Sequence, residues 1–329
     1  MRKLIIFSLF LFAFTAHAKN LSDPLPSWND DSAIKKNIIQ FVKDVTNKNN
    51  SHYVSPENRI ATFDNDGTLW VEQPIYTQFI FASDRIKKLA SQHPEWKNQL
   101  PYKAILENDY KTQMKFTVQD FAHILAVTHS GMSVGEFQKI AKNWIKTAEN
   151  PHFKQHYNKL IYQPMLEVMN YLRENKFKVY IVTGGGQDFV RAFSEATYAV
   201  PSEQVIGTAG KTKYIYQNKK PVLIKTPEVL IVDDKTGKPE AIDLFIGKKP
   251  IIAFGNSDGD RQMLEWTQSN EGKHLMLLVH HDDAKREYAY DIQSKVGTFS
   301  SSLMNEAKQN HWDIISMQHD WKVIFPFDE

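Results

Sequence analysis

The chain has no cysteine. That excludes disulfides, zinc–thiolate sites and thiol catalysis, and leaves the fold to be held by its core. A surplus of charge is missing as well, because 40 Lys and Arg stand against 38 Asp and Glu. No basic stripe is dense enough for nucleic acid, so none is expected as a partner. Internal repeats and low-complexity segments are lacking. Past the first residues, no segment is long and apolar enough to span a membrane. The length suits one large domain, or a domain carrying a smaller inserted one.

The exception to the scarcity of apolar runs is the beginning of the chain. Met1-Arg2-Lys3 is basic, residues 4–14 are almost continuously apolar, and Ala16-His17-Ala18 supplies small residues for a signal peptidase. The apolar core is too short for a stable spanning helix, so residues 1–18 are read as a secretory signal peptide. Without cysteine there is no lipid attachment site at the cleavage point. The mature chain is expected to begin at Lys19, in the periplasm or outside the cell, free of the membrane.

After Pro24 and Pro26, Asp31 or Ser32 can cap a helix with Ile34, Ile38, Phe41, Val42 and Val45 on one face. Residues 76–160 show the helical spacing of aromatic and aliphatic side chains that usually marks packing. From Met165 onwards strands alternate with helices. Residues 178–182 run into Thr183-Gly184-Gly185-Gly186, 250–254 into Gly255-Asn256-Ser257-Asp258-Gly259-Asp260, and 275–279 into His280-His281-Asp282-Asp283. Residues 213–216 and 222–224 suggest a β-hairpin. The alternation predicts an open, doubly wound, mostly parallel α/β sheet with polar clusters gathered at the carboxyl ends of its strands.

One such cluster is the stretch ATFDNDGTLW at 61–70, where Asp64 and Asp66 follow an apolar run. Asn, Asp and Gly are common turn formers, so a polar turn accounts for it in part. Two carboxylates one residue apart on an extended segment project to the same side, however, and they call for a hard cation such as Mg²⁺. A carboxylate so placed can attack phosphorus, and its neighbour can protonate a leaving oxygen and later activate water. The Thr183 hydroxyl and the amides of Gly184 and Gly185 can hold phosphoryl oxygens. Lys238, preferred to Lys235 because Pro239 suits a first helical turn, can neutralise charge between nucleophile and phosphate. Asp258 and Asp260 can complete a metal shell.

Together these residues resemble the haloacid dehalogenase (HAD) superfamily. DNDGT at 64–68 is similar to its first motif, Thr183 to its second, Lys238 to its third and GNSDGDRQML at 255–264 to its acidic fourth. The order of motifs, with V-I-G-T at 205–208 and the hairpin before the lysine, looks most like the phosphoserine phosphatase-like branch. That resemblance implies a Rossmann-like core formed by 19–75 and 161–329, with 76–160 inserted as a helical C1 cap. It also implies that Asp64 is the nucleophile, that Asp66 is the general acid/base with a Mg²⁺-binding carbonyl, and that Thr183 and Lys238 are phosphate ligands. The fourth motif departs from the family's GDxxxD, having Asn256 at the first acid's position and an extra Asp258. Either Asn256 ligates through its amide oxygen or Asp258 replaces it, and a loop carboxylate, Asp260 or Asp258, is expected to carry the metal's charge balance. Trp70, Glu72 and Tyr76 either line the pocket or pack against the cap.

The implied activity is Mg²⁺-dependent hydrolysis of small phosphomonoesters through an aspartyl-phosphate. Asp66 weighs against haloacid dehalogenase and ion-pump chemistry, because those branches lack an acid there. Other readings are a binding protein that has lost turnover through the Asn256 change, and a phosphonate or carbon–halogen hydrolase. The phosphonate branch would want a cap lysine able to form a Schiff base.

The reading of residues 1–18 has a direct check. Terminal sequencing of protein from the native host is expected to start at Lys19, and a full-length chain recovered from the cytoplasm would refute it.

Overall fold

The computed structural model of the chain describes residues 23–328, so the expected signal peptide lies outside the described residues. The chain enters through a helix at Ala33–Thr46, capped by the Ser32 side chain and burying Ile38, Phe41, Val42 and Val45. Strand β1 (Ile60–Phe63) follows and is buried along its whole length. Next come helices at Thr77–Leu89, Tyr102–Leu106, Tyr110–Gln113, Val118–His129 and Val134–Thr147, then a two-residue antiparallel pair, β2 (Glu149–Asn150) and β3 (Gln155–His156). After the helix Gln163–Glu174 the remaining strands are β4 (Lys178–Gly186), β5 (Val205–Gln217), β6 (Lys220–Ile231), β7 (Ile252–Gly255), β8 (Leu275–His280) and β9 (Asp313–Ser316).

Seven strands form one sheet in the order β6-β5-β4-β1-β7-β8-β9. All its pairings are parallel except β5 with β6. Side chains alternate between two apolar layers, as the two-residue period of a strand requires. Ile181, Ile252, Phe254, Leu277 and Val279 join the larger cluster, while Val182, Ala253, Met276 and Leu278 join a second one on the other face. Phe63 and Phe254 stack with centroids 4.4 Å apart across β1 and β7. This is the doubly wound α/β architecture expected from the alternation of strands and helices. The aromatic C-terminal stretch seals the edge: Trp312, Trp321 and Phe325 are buried, and Trp28 meets Trp321 edge-on at 6.0 Å.

The insertion packs in two ways. Phe79, Ala82, Ile86, Trp96, Ile105 and Ile124 make a small core of their own. Phe81, Phe137, Ala141 and Ile145, from the same stretch, belong instead to the large cluster shared with Phe63. The helix Val134–Thr147 is therefore seated on the sheet domain, because its amphipathic face matches that core and not the smaller one. The β5–β6 hairpin, longer than the predicted 213–224, leans on the insertion through backbone bonds between Lys225 and both Gly131 and Met132, and on the sheet domain through an ion pair from Lys225 to Asp188, just after β4.

Strand order decides where chemistry can occur. β1 is central, with β4 and β7 on either side, so Asp64, Thr183 and Asn256 leave the sheet at adjoining points. The amide of Asp64 still bonds to Phe254 O at 2.9 Å, continuing the ladder one residue past the strand. Lys238 reaches the same edge from the helix Gly237–Ile246. The start of that helix is tight, since a Cβ on Gly237 would stand 1.9 Å from the Val232 carbonyl oxygen. Gly237→Ala is expected to cost about 1–3 kcal/mol through overpacking and to displace Lys238. Urea unfolding checks the first effect, and a wild-type midpoint would refute it.

Candidate active site

Asp64 is buried at the tip of β1, where its Oδ1 accepts from Lys238 Nζ at 2.5 Å. The same ammonium donates to Val182 O at 2.7 Å and pairs with Asp260 Oδ1 at 2.8 Å. One lysine thus joins the ends of β1, β4 and the loop after β7. Burial alone would lower the Lys238 pKa, but the carboxylates of Asp260, Asp64 and Asp233 overcome it and hold the value above normal. Asp64 is in turn pushed well above the carboxylate range, first by burial and then by the nearby Asp260 charge. Acids outnumber the cation here, and the cluster would accept a further positive charge.

Asp66 is held differently. Its Oδ1 accepts from the Trp70 indole at 2.9 Å, and Trp70 itself stacks on Phe193 at 4.9 Å. Burial raises its pKa, partly offset by that bond. The turn between the two acids and Trp70 closes through a bond from Gly67 N–H to Trp70 O at 2.8 Å, with Gly67 at φ +76°. His281 Nε2 lies 2.7 Å from the Gly67 carbonyl and its Nδ1 lies 3.2 Å from Glu287, so this histidine braces the turn.

Thr183 is fully buried, and its Oγ1 accepts from Gly185 N–H at 3.0 Å, leaving its own proton available. A Cβ on Gly185 would stand 3.2 Å from Thr183 Oγ1 and 3.4 Å from Asp66 Oδ2, so the second motif lies directly against the first. Gly184 is exposed beside it, and its carbonyl accepts from Thr208 at 2.7 Å. The structure therefore brings together Asp64, Asp66, Thr183, Gly184, Gly185 and Lys238.

The fourth motif divides. Asn256 is buried; its Oδ1 accepts from Thr68 Oγ1 at 3.1 Å and its Nδ2 donates to Glu72 Oε1 at 2.7 Å. Asp260 Oδ2 accepts from the amides of Asn256 at 2.9 Å and Ser257 at 3.0 Å, shaping the loop, while its other oxygen serves Lys238. Asp258 does not join them. Its Oδ1 is taken by Ser300 Oγ at 2.7 Å and by Arg261 at 3.2 Å, which corrects its expected place in a metal shell. These partners hold Asp258 apart from the Asp64–Lys238–Asp260 cluster.

Among the described residues no three His, Cys, Asp or Glu side chains converge as a metal site. The oxygens that could hold Mg²⁺ are of mixed kind: the Asp64 carboxylate, the Asp66 carbonyl and the Asn256 amide oxygen. All are hard donors, and Mg²⁺ keeps several waters and asks few ligands of a protein. The acid surplus around Lys238 fits such a cation.

Several contributors carry little signal in the sequence. Gln78, from the insertion, accepts from Gly186 N–H at 2.7 Å and lies 3.1 Å from His129 Nε2. Burial, with Lys225 and Arg85 nearby, lowers the His129 pKa to about 3, so this ring is neutral; the Gly186 N–H claims the Gln78 oxygen and turns its amide nitrogen towards the ring. Nothing in their spacing marks these two as site residues. Glu72 stood among candidates for lining or packing; burial, outweighing a bond from Tyr290, pushes its carboxyl well above normal. Asp233, two residues past the end of β6 and near the lysine, is buried with neither oxygen hydrogen-bonded.

The family model for haloacid dehalogenase-like hydrolases matches residues 61–265, which include Asp64, Asp66, Thr183, Lys238, Asn256 and Asp260. The chain belongs to the haloacid dehalogenase-like hydrolase family. Among solved structures, a conserved functionally unknown protein from Anaerococcus prevotii DSM 20548 is 15% identical, with a TM-score of 0.55 over 90% of this chain and 94% of that one. A protein of unknown function from Bordetella pertussis Tohama I is 14% identical, with a TM-score of 0.49 over 78% and 98%. A phosphoserine phosphohydrolase-like protein from Francisella tularensis is 17% identical, with a TM-score of 0.36 over 67% and 87%. No curated protein matches the chain.

Asp233 gives a pH prediction. Burial, only partly offset by Lys238, raises its carboxyl from 3.8 to about 7. Its raised folded-state pKa contributes stability that is lost as pH rises from about 4 through 7. Asp233→Asn is expected to gain stability relative to the parent at pH 7 compared with pH 4. Urea unfolding at both values measures this, and an unchanged difference would refute it.

Proposed function

We propose that the chain is a Mg²⁺-dependent phosphatase of small phosphomonoesters, working through an aspartyl-phosphate. The observation that carries this reading is the division of labour between two neighbouring carboxyls: Asp64 is paired with Lys238, while Asp66 is paired only with an indole. Two acids in unlike surroundings can take unlike roles.

Asp64 attacks phosphorus while the bond to the ester oxygen breaks, and Asp66 gives its proton to the departing alcohol. Asp66 then takes a proton from water, whose oxygen attacks the same phosphorus, releasing phosphate and restoring Asp64. The Thr183 hydroxyl, the Gly185 region and Lys238 stabilise the oxygens that gain charge. Asp64, the Asp66 carbonyl and Asn256 would hold Mg²⁺, which supplies charge neutralisation and keeps phosphate in line with the nucleophile. The Gln78–His129 pair borders this space from the insertion and limits what the alcohol portion can be. No observation favours a binding-only protein, since Asp64, Asp66, Thr183 and Lys238 are all assembled. An exported location, with processing after Ala18, remains part of this proposal.

Asp64→Asn is expected to lower turnover of p-nitrophenyl phosphate by about 10³-fold or more. Its fold should be retained, because an isosteric amide keeps the shape and its oxygen can still accept from Lys238. EDTA should silence the parent, and Mg²⁺ should restore it. A well-folded, active Asp64→Asn, or a parent inert towards a phosphomonoester panel with Mg²⁺, would overturn the reading.

A further inference from the structure

A cavity of about 250 Å³ lies where the insertion rejoins the sheet domain, and no residue of the Asp64–Lys238–Asp260 cluster lines it. Lys142 and Lys146 line it from the helix Val134–Thr147. Residues four apart are neighbours on a helix face, and Ile145, three from Lys142, shares that face. Lys159, at the end of a short turn, and Ile161 line it from the segment that leads back to the sheet. Phe193 lines it from the sheet domain. Ile145, Ile161 and Phe193 are buried and the three lysines are exposed, so the cavity has an apolar floor and a basic rim.

The charge at that rim is unanswered. The lining carries three positive charges and no acid, and its remaining polar groups, Asn158 and Thr197, are neutral. Among the described residues none of the three lysines belongs to an ion pair, whereas Lys35, Lys225, Lys238, Lys273 and Lys322 each do. Like charges four apart on a helix repel. A solvated helix face would account for Lys142 and Lys146. It does not account for a third lysine, brought from another segment over the same apolar floor. Lysine stems are flexible and carry compact charges, so the three can fold over one anion. Three cations suit a doubly charged phosphoryl group, and the floor suits an apolar body attached to it. The volume falls below the ~300 Å³ at which drug-sized ligand sites begin. The occupant is therefore small.

We propose that this cavity binds a small organic phosphate or phosphonate with a compact apolar group, bracing the insertion against the sheet domain. The site is separate from the catalytic cleft and does not rest on the activity assigned to it.

The test is calorimetry of the full chain with phenylphosphonate in EDTA, together with the shift in melting temperature. Without a metal, the acid surplus around Lys238 repels such an anion, so the heat reports the lysine cavity. One site is expected, with a melting temperature that rises with ligand concentration. The double variant Lys142→Gln, Lys146→Gln keeps the stems and the helix, and should weaken binding about ten-fold or more. Ala196→Trp, at an exposed position of the lining, should block the cavity while leaving every lysine in place. Inorganic phosphate and benzyl alcohol each satisfy half of the site and should bind about ten-fold more weakly or worse. A parent that binds no phenylphosphonate, or a double lysine variant of unchanged affinity, would overturn the proposal. So would a folded Ala196→Trp that binds as the parent does, since the anion would then be held by surface charge and not by the cavity. Should Ala196→Trp fold poorly, the lysine variant decides alone. The assay involves neither metal nor turnover, so its outcome is independent of the assigned activity.

Discussion

The buried ammonium of Lys238 is the constraint around which the site is arranged. Its three bonds, to Asp64, Asp260 and the Val182 carbonyl, tie together the ends of three neighbouring parallel strands. Taking an ammonium out of water costs several kcal/mol unless good partners surround it. The partners must therefore stay in place. Gly237 belongs to the same constraint, since only a residue without a side chain lets the helix begin close enough to deliver Lys238.

Charge imbalance follows from that arrangement. Asp64, Asp260 and Asp233 all act on one lysine, and burial raises both Asp64 and Asp233 above ordinary carboxyl values. A site with surplus acid and hard oxygen donors suits an added positive charge. Asp66, two residues further on, makes no bond to the lysine and faces an indole instead. The separation places the two carboxyls in unlike surroundings, one beside an ammonium and the other beside an indole.

The insertion is bound into this plan from above. Half of it packs as a body of its own and half shares the large core, so it is anchored at one end. Through Gln78 it touches the second motif, and through the Lys225 strand it touches the hairpin. Access to the acids is thereby set by residues far from them in the chain.

Periodicity and strand-end chemistry were local enough to be legible in the sequence. The alternation of apolar strands with helices marked the doubly wound sheet, and DNDGT, Thr183, Lys238 and the acidic loop marked its carboxyl edge. These readings hold because strand period and turn chemistry depend on neighbours a few residues away. What tertiary structure alone decided were choices between chemically equivalent partners. Asp258 and Asp260 look alike in GNSDGD, yet one turns to Arg261 and the other to Lys238. Glu72 looks like a stray acid until Asn256, 184 residues away, and Tyr290, 218 residues away, close around it. A side chain's type is written in the sequence, but its partner is set by which distant segments the sheet order brings within hydrogen-bond reach.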